Sequence, residues 1–133
     1  MKHPVRLTVV THTRCGDQRE TLEHRFTGHM VRRGDRTLLV YREPETDSLT
    51  HLLVEPGRVD LRRSGALKSR MVLAPGLRHD FDYCHPLARV SMAVVTHSLS
   101  LAADGLTAEY DLYTGTERLA SHRLVIRWQV LTD

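Results

Sequence analysis

The chain has 133 residues, 41% of them apolar and 26% charged, with 8 Gly and 5 Pro spread along it; this suits one domain with a buried core and excludes a second full domain or a disordered chain. The longest unbroken apolar runs, for example Leu38–Tyr41 and Met92–Val95, are four residues each, far short of the about 20 that a membrane-spanning helix needs. Nineteen basic residues, 17 of them Arg, against 16 acidic ones give a formal charge of +3, a slight excess whose interspersed signs suit solvated strand faces.

Apolar and polar residues alternate along most of the chain. No stretch of helical length carries an apolar stripe that alternation does not explain better, so every element is expected to be a strand. The first covers residues 4–14, with Val5, Leu7 and Val9 on one face and Arg6, Thr8 and His12 on the other. After a loop at Cys15-Gly16-Asp17 the second, 21–33, turns Leu22, His24, Phe26 and Met30 inward, with Gly28 where a strand bends or bulges. Gly34-Asp35 reverses the chain into 36–43, and Pro44-Glu45-Thr46-Asp47 separates that strand from 49–55. Strands follow at 58–64, 66–73, 77–84, 88–95, 97–103, 106–114 and 118–131. The turns among them include Pro56-Gly57, Pro75-Gly76, Asp104-Gly105 and Thr114-Gly115-Thr116, where Gly supplies positive φ and Pro presets its own. Strands recurring this regularly, with no linker or repeat, point to one all-β domain over residues 1–133, a single antiparallel meander. Closing it into a barrel removes exposed edges.

The first residues, Met1-Lys2-His3-Pro4-Val5-Arg6, lack the apolar segment and cleavage site of a secretion signal. Cys15 and Cys84 lie far apart with no CxxC pair, so free thiols and a cytoplasmic location are expected. The Arg preference, with Lys2 and Lys68 the only lysines, suits bidentate anion binding, although a genome rich in Arg codons gives the same bias.

The segment Arg62-Arg63-Ser64-Gly65-Ala66-Leu67-Lys68-Ser69-Arg70-Met71, then a strand ending in Tyr83, then Glu109-Tyr110-Asp111-Leu112, resembles the YwiB-like family of uncharacterised bacterial proteins. Upstream, Phe26-Thr27-Gly28, a basic turn and a strand with Leu39-Val40-Tyr41 fit the same pattern, so the resemblance covers nearly the whole chain in order. It implies a calycin-like, lipocalin-like β-barrel and no particular activity. The many His depart from the pattern, so no His-based chemistry follows from it.

Following the more apolar face of each strand into a barrel, His24, Arg63, His79, Tyr83, His97, Tyr110 and His122 point inward. Beside them lie Leu61, Phe81, Leu99, Leu101, Leu112, Leu124, Ile126 and Trp128. Such a mixed lumen suits a partly hydrated pocket that holds a polar or anionic group against an apolar wall. Arg63 is the expected anion anchor, with Tyr83, Tyr110 and His79 orienting polar atoms and Phe81, Leu99 and Trp128 forming the wall; His24 shares the face. The inward His count carries no weight alone: of His12, His24, His29, His51, His79, His97 and His122, four face inward, as chance gives. Arg63→Ala is expected to weaken ligand retention without unfolding the chain.

No cofactor or metal is expected. In the nearest cluster, His79-Asp80, Asp82 and Cys84-His85, strand alternation points His79 away from Asp80, Asp82 and Cys84. Ser64 lacks the GxSxG pattern of an activated serine; Gly65 after it suits a tight turn or bulge, with Ser64 bonding backbone. Asp80, Asp82 and Asp111 fall on the outward phase and make no carboxylate pair for glycoside chemistry. The expected function is therefore non-catalytic binding or sequestration of a small ligand. The rival is an RNA- or protein-binding module using Arg32, Arg33 and Arg36 at one turn and Arg58, Arg62, Lys68 and Arg70 on adjoining strands. With 7 aromatic residues in the chain, stacking platforms for single strands are scarce. No membrane partner is expected, and the chain is expected to be a monomer or a homodimer formed through a hairpin edge.

Overall fold

Long alternating segments punctuated by Gly and Pro bury their apolar faces most readily by pairing with their chain neighbours and curling the sheet. A computed structural model describes residues 2–131; Met1, Thr132 and Asp133, the ends of the expected domain, lie outside the described residues. Among these there are ten strands: β1 (Lys2–Cys15), β2 (Gln18–Arg33), β3 (Arg36–Glu43), β4 (Ser48–Glu55), β5 (Arg58–Gly65), β6 (Ser69–Leu73), β7 (Arg78–His85), β8 (Ala88–Ala102), β9 (Gly105–Thr114) and β10 (Glu117–Val130). One turn of 3-10 helix, Pro44–Thr46, joins β3 to β4. The sheet runs β6-β5-β4-β3-β2-β1-β10-β9-β8-β7, all antiparallel, so the meander is consecutive except that β10 returns beside β1. Its two edges meet where Lys68 and Cys84 exchange backbone hydrogen bonds of 2.9 and 2.8 Å, which nearly closes the barrel.

Among the described residues no helix is long and apolar enough to cross a membrane. Val5, Leu7, Leu39, Leu52, Val59, Leu106 and Ile126 are essentially inaccessible to solvent and belong to the packed core of the barrel. Each such side chain contributes about 1.5–3 kcal/mol through its removal from water. Gly65, expected at a tight turn or bulge, ends β5 at φ +122, where a Cβ would lie 2.5 Å from the Asp47 carbonyl oxygen.

The expected strands 88–95 and 97–103 are one strand, β8, broken in phase by a bulge: Thr96 pairs with Tyr110 and Ser98 with Glu109. The extra residue reverses the side of His97. Thr96 and Leu99 both stay on the inner face, and His97, expected inside, stands on the outer one, where its Nε2 lies 2.8 Å from Asp111. A break in alternation has the sequence signature of a turn, so one bulged strand has the pattern of two.

Past the Lys68–Cys84 bridge the seam between β6 and β7 has no regular ladder. The Val72 N–H instead donates to Nδ1 of His79 at 3.3 Å, and the Ala74 N–H to the Thr96 hydroxyl at 3.2 Å. Accepting at Nδ1 requires a neutral ring. Burial holds the His79 pKa below its usual value and the Arg70 cation lowers it further, with Arg58 acting the same way against the smaller opposing pull of Asp60 and Asp80. Burial also lowers that of His122, against the pull of Asp111. An unfolded imidazole titrates near pH 6.5, so as pH falls through about 6.5 the unfolded chain takes up protons that the folded one refuses, and stability is lost down to the folded pKa. The thermal midpoint is expected to drop on mild acidification. His79→Gln, whose amide oxygen accepts without titrating, should flatten part of that drop; a wild-type midpoint indifferent to pH in this range refutes the account.

Candidate functional site

Period-two alternation sends i and i+2 to the same face, and at the open end of the barrel, resting on the core, this lines a cavity of about 420 Å³ with side chains from eight strands. Its apolar wall includes Leu61, Met71, Phe81, Leu112, Leu124 and Ile126. Its polar part is a buried cluster. The Arg63 Nε donates to Oε2 of Glu43 at 2.8 Å, and the hydroxyl of Thr50, itself wholly buried, donates to the same oxygen. Tyr41, Tyr83 and Tyr110 also line the cavity.

Burial disfavours the Arg63 cation, but the charge of Glu43 and its hydrogen bond outweigh that and raise its pKa. Burial, then the Glu43 charge, push the Tyr41 phenol far above its ordinary value against the smaller effects of Arg63 and Thr50. The Tyr110 phenol is pushed up to about 12 by burial, with Arg63 opposing. The cavity therefore presents neutral phenols and an ion pair in an apolar wall. The bond to Glu43 engages Nε of Arg63, which leaves the two terminal nitrogens, with four N–H groups, for other acceptors.

Of the residues singled out in the sequence, Arg63, Phe81, Tyr83 and Tyr110 line this one cavity. His79 stands at the seam with its ring stacked on Phe81 at 6.3 Å. Leu99 and Trp128 pack with the core at the closed end, where Trp128 Nε1 is buried without a hydrogen-bond partner among the described residues. His24 stacks on Phe26 at 6.0 Å beside a separate groove between β2 and the Pro44–Thr46 turn. Tyr41, Glu43 and His122 also line the cavity. Glu43 was legible only as the residue before a proline turn, although it shares the phase of Leu39 and Tyr41.

On the outside, Arg62 and Arg70 are direct cross-strand partners, as the basic stripe required. Between them lies Asp60, largely buried, which holds Arg70 at 2.8 Å and Arg62 at 3.6 Å. Burial pushes the Asp60 carboxyl up, but the hydrogen bond and charge of Arg70, then the charges of Arg62 and Arg58, bring it below its usual range. Arg36 likewise lies 3.6 Å from Glu55. A wider depression of about 770 Å³ near the β1–β2 and β9–β10 turns mixes Arg14, Arg19 and Arg123 with Glu20, Glu109 and Asp111. Among the described residues no group of three or more His, Cys, Asp or Glu converges as metal ligands do.

Residues 7–126 match the family described as "Domain of unknown function (DUF1934)". The crystal structure of the ywiB protein from Bacillus subtilis superposes with a TM-score of 0.86 at 23% identity, over 98% of this chain and 94% of that one. The barrel architecture is thus shared with YwiB, in agreement with the resemblance read from Arg62–Met71 and its companions. No curated protein matches the chain.

Proposed function

Because the chain belongs to the DUF1934 family, whose description names no activity, its role has to be read from its own cavity, and we propose that it binds or sequesters a small, partly apolar molecule there without chemical change. The observation that carries this reading is the joining of an apolar wall to the Glu43–Arg63 pair in one open cavity of about 420 Å³, within the range of about 300–1,000 Å³ that ligand pockets occupy. The ligand has an apolar body and a head rich in acceptors, anionic or neutral, which meets the terminal nitrogens of Arg63 while the tyrosine hydroxyls orient it. In this sense the barrel works as calycin-like, lipocalin-like proteins do. The free thiols Cys15 and Cys84 support a reducing, cytoplasmic setting. The rival use of the outer basic face for RNA or a protein has less support, since Asp60 and Glu55 already neutralise much of it.

Native mass spectrometry of gently purified protein, set beside its denatured mass, tests the proposal, with the anionic fluorophore anilinonaphthalene sulfonate as a defined probe. A discrete non-covalent adduct, or saturable fluorophore binding by the folded protein, is expected. Removing Arg63 outright also strands the Glu43 carboxylate, so Arg63→Ala is expected to lose stability as well as ligand, which corrects the expectation from sequence that it would affect the ligand alone. Arg63→Lys keeps the charge and loses the fork; it should weaken fluorophore binding roughly tenfold at unchanged folding. A clean unliganded mass with no fluorophore binding overturns the reading.

A further inference from the structure

β2 outruns β3. From Gly28 to Arg33 it pairs with β3, whereas Gln18–Thr27 has β1 on one side and, among the described residues, no strand on the other. Along these ten residues every second one therefore turns an unpaired backbone N–H and C=O outward along one edge. The ladder to β1 runs through them without a register shift, and the segment contains neither Pro nor Gly. Whole strands average about 5–6 residues, and soluble proteins keep exposed edges short or interrupt them with Pro or a bulge. Here the one protection is charge, from Arg19, Glu20, Glu23 and Arg25, and the order of those charges indicates what the edge accepts.

We propose that this edge is a dimer interface, joining β2 to β2 of a second copy, antiparallel about a two-fold axis through His24. Directly opposed residues in a continuous sheet share a face, so the axis must pass through a residue rather than between two. With His24 on the axis, Glu23 of each copy meets Arg25 of the other, Leu22 meets Phe26 and Thr21 meets Thr27. An axis through Glu20, Glu23 or Arg25 sets a charge against itself, and one through Leu22 opposes Arg19 to Arg25. An axis through Thr21 joins Arg19 to Glu23 but sets Leu22 against Glu20 and leaves Phe26 outside. Only the His24 register gives every charge it covers an opposite partner and every large apolar side chain an apolar one. It also covers Leu22, which is 47% exposed in the monomer. The groove of about 570 Å³ between His24–Thr27 and the Pro44–Thr46 turn leaves room for the end of the incoming strand. The contact is isologous and closes as a dimer; none of the β2 residues it covers lines the cavity, although Glu43 borders both the cavity and the groove.

Sedimentation velocity over a concentration series tests it, with near-UV circular dichroism confirming each fold. The wild type should associate reversibly to a dimer. Glu23→Arg and Arg25→Glu, each placing like charges opposite one another twice, should each weaken the dimer about tenfold or more, and the double exchange Glu23→Arg/Arg25→Glu should restore it. In a Cys15→Ser/Cys84→Ser background, His24→Cys should oxidise to an intermolecular disulfide faster than a cysteine placed at exposed Leu87. A wild type that stays monomeric at every concentration reached overturns the proposal. So does a double exchange no tighter than the single variants, or a His24→Cys protein that cross-links no faster than the control.

Discussion

Glu43→Ala is expected to lower the free energy of unfolding by about 3–4 kcal/mol, close to the cost of leaving one member of a buried ion pair alone. The arithmetic of the site explains the size. Glu43 takes hydrogen bonds from both Arg63 and Thr50, and its side chain and that of Arg63 are 16% and 29% exposed, so water replaces little of what is lost. Urea denaturation of the single variant and of Glu43→Leu/Arg63→Met separates pairing from packing. The double variant should recover most of the loss, because replacing both charges removes the desolvation cost together with the attraction. The freed guanidinium of the single variant should also bind anilinonaphthalene sulfonate more tightly than wild type, provided the measurement is made well below its unfolding midpoint. A loss under about 1 kcal/mol would mean that solvent, not Glu43, neutralises Arg63.

Gly28→Ala is expected to cost about 2–3 kcal/mol although the change is a single methyl group. A Cβ at this position falls 2.3 Å from the Val40 carbonyl oxygen and 2.9 Å from Cβ of Tyr41. Both belong to the facing strand, so relief requires β2 and β3 to separate rather than a side chain to rotate. Tyr41 stacks on Phe26 at 5.0 Å and lines the cavity, so the same change should loosen the site. Denaturant unfolding gives the cost, and amide exchange along β3 shows whether the strain is taken up there. A variant as stable as wild type, with β3 equally protected, would contradict the close approach.

The turns were legible because Gly and Pro constrain backbone locally, and the strands because alternation reports directly on which face is buried. What alternation does not report is depth. Trp128 and Leu99 lie on the inner face as read, yet at the packed end, while Arg63, Phe81, Tyr83 and Tyr110 surround the open one; the difference is distance along the barrel axis, which depends on strand stagger. The bulge at His97 escaped for a related reason, since one extra residue in a long strand has the same signature as a short turn between two. Glu43 escaped because an acidic residue before Pro44 reads as part of a turn. Its importance arises from Thr50 and Arg63, which only strand pairing brings to it.

The pairing of β1 with β10, with Val5 opposite Val130, brings the two ends of the described chain side by side within the sheet, while the weakly laddered seam falls at the turn between β6 and β7. Linking those ends and cutting at Pro75-Gly76 would yield a circular permutant whose strands lie in the sheet in the order of their synthesis, from β7 through β10 and β1 to β6. The ladder that now spans almost the whole chain would become one more local hairpin, and the entropy of closing that long loop would no longer retard folding. In the natural order, β1 is made before the other nine strands and waits for β10 before its second edge is covered.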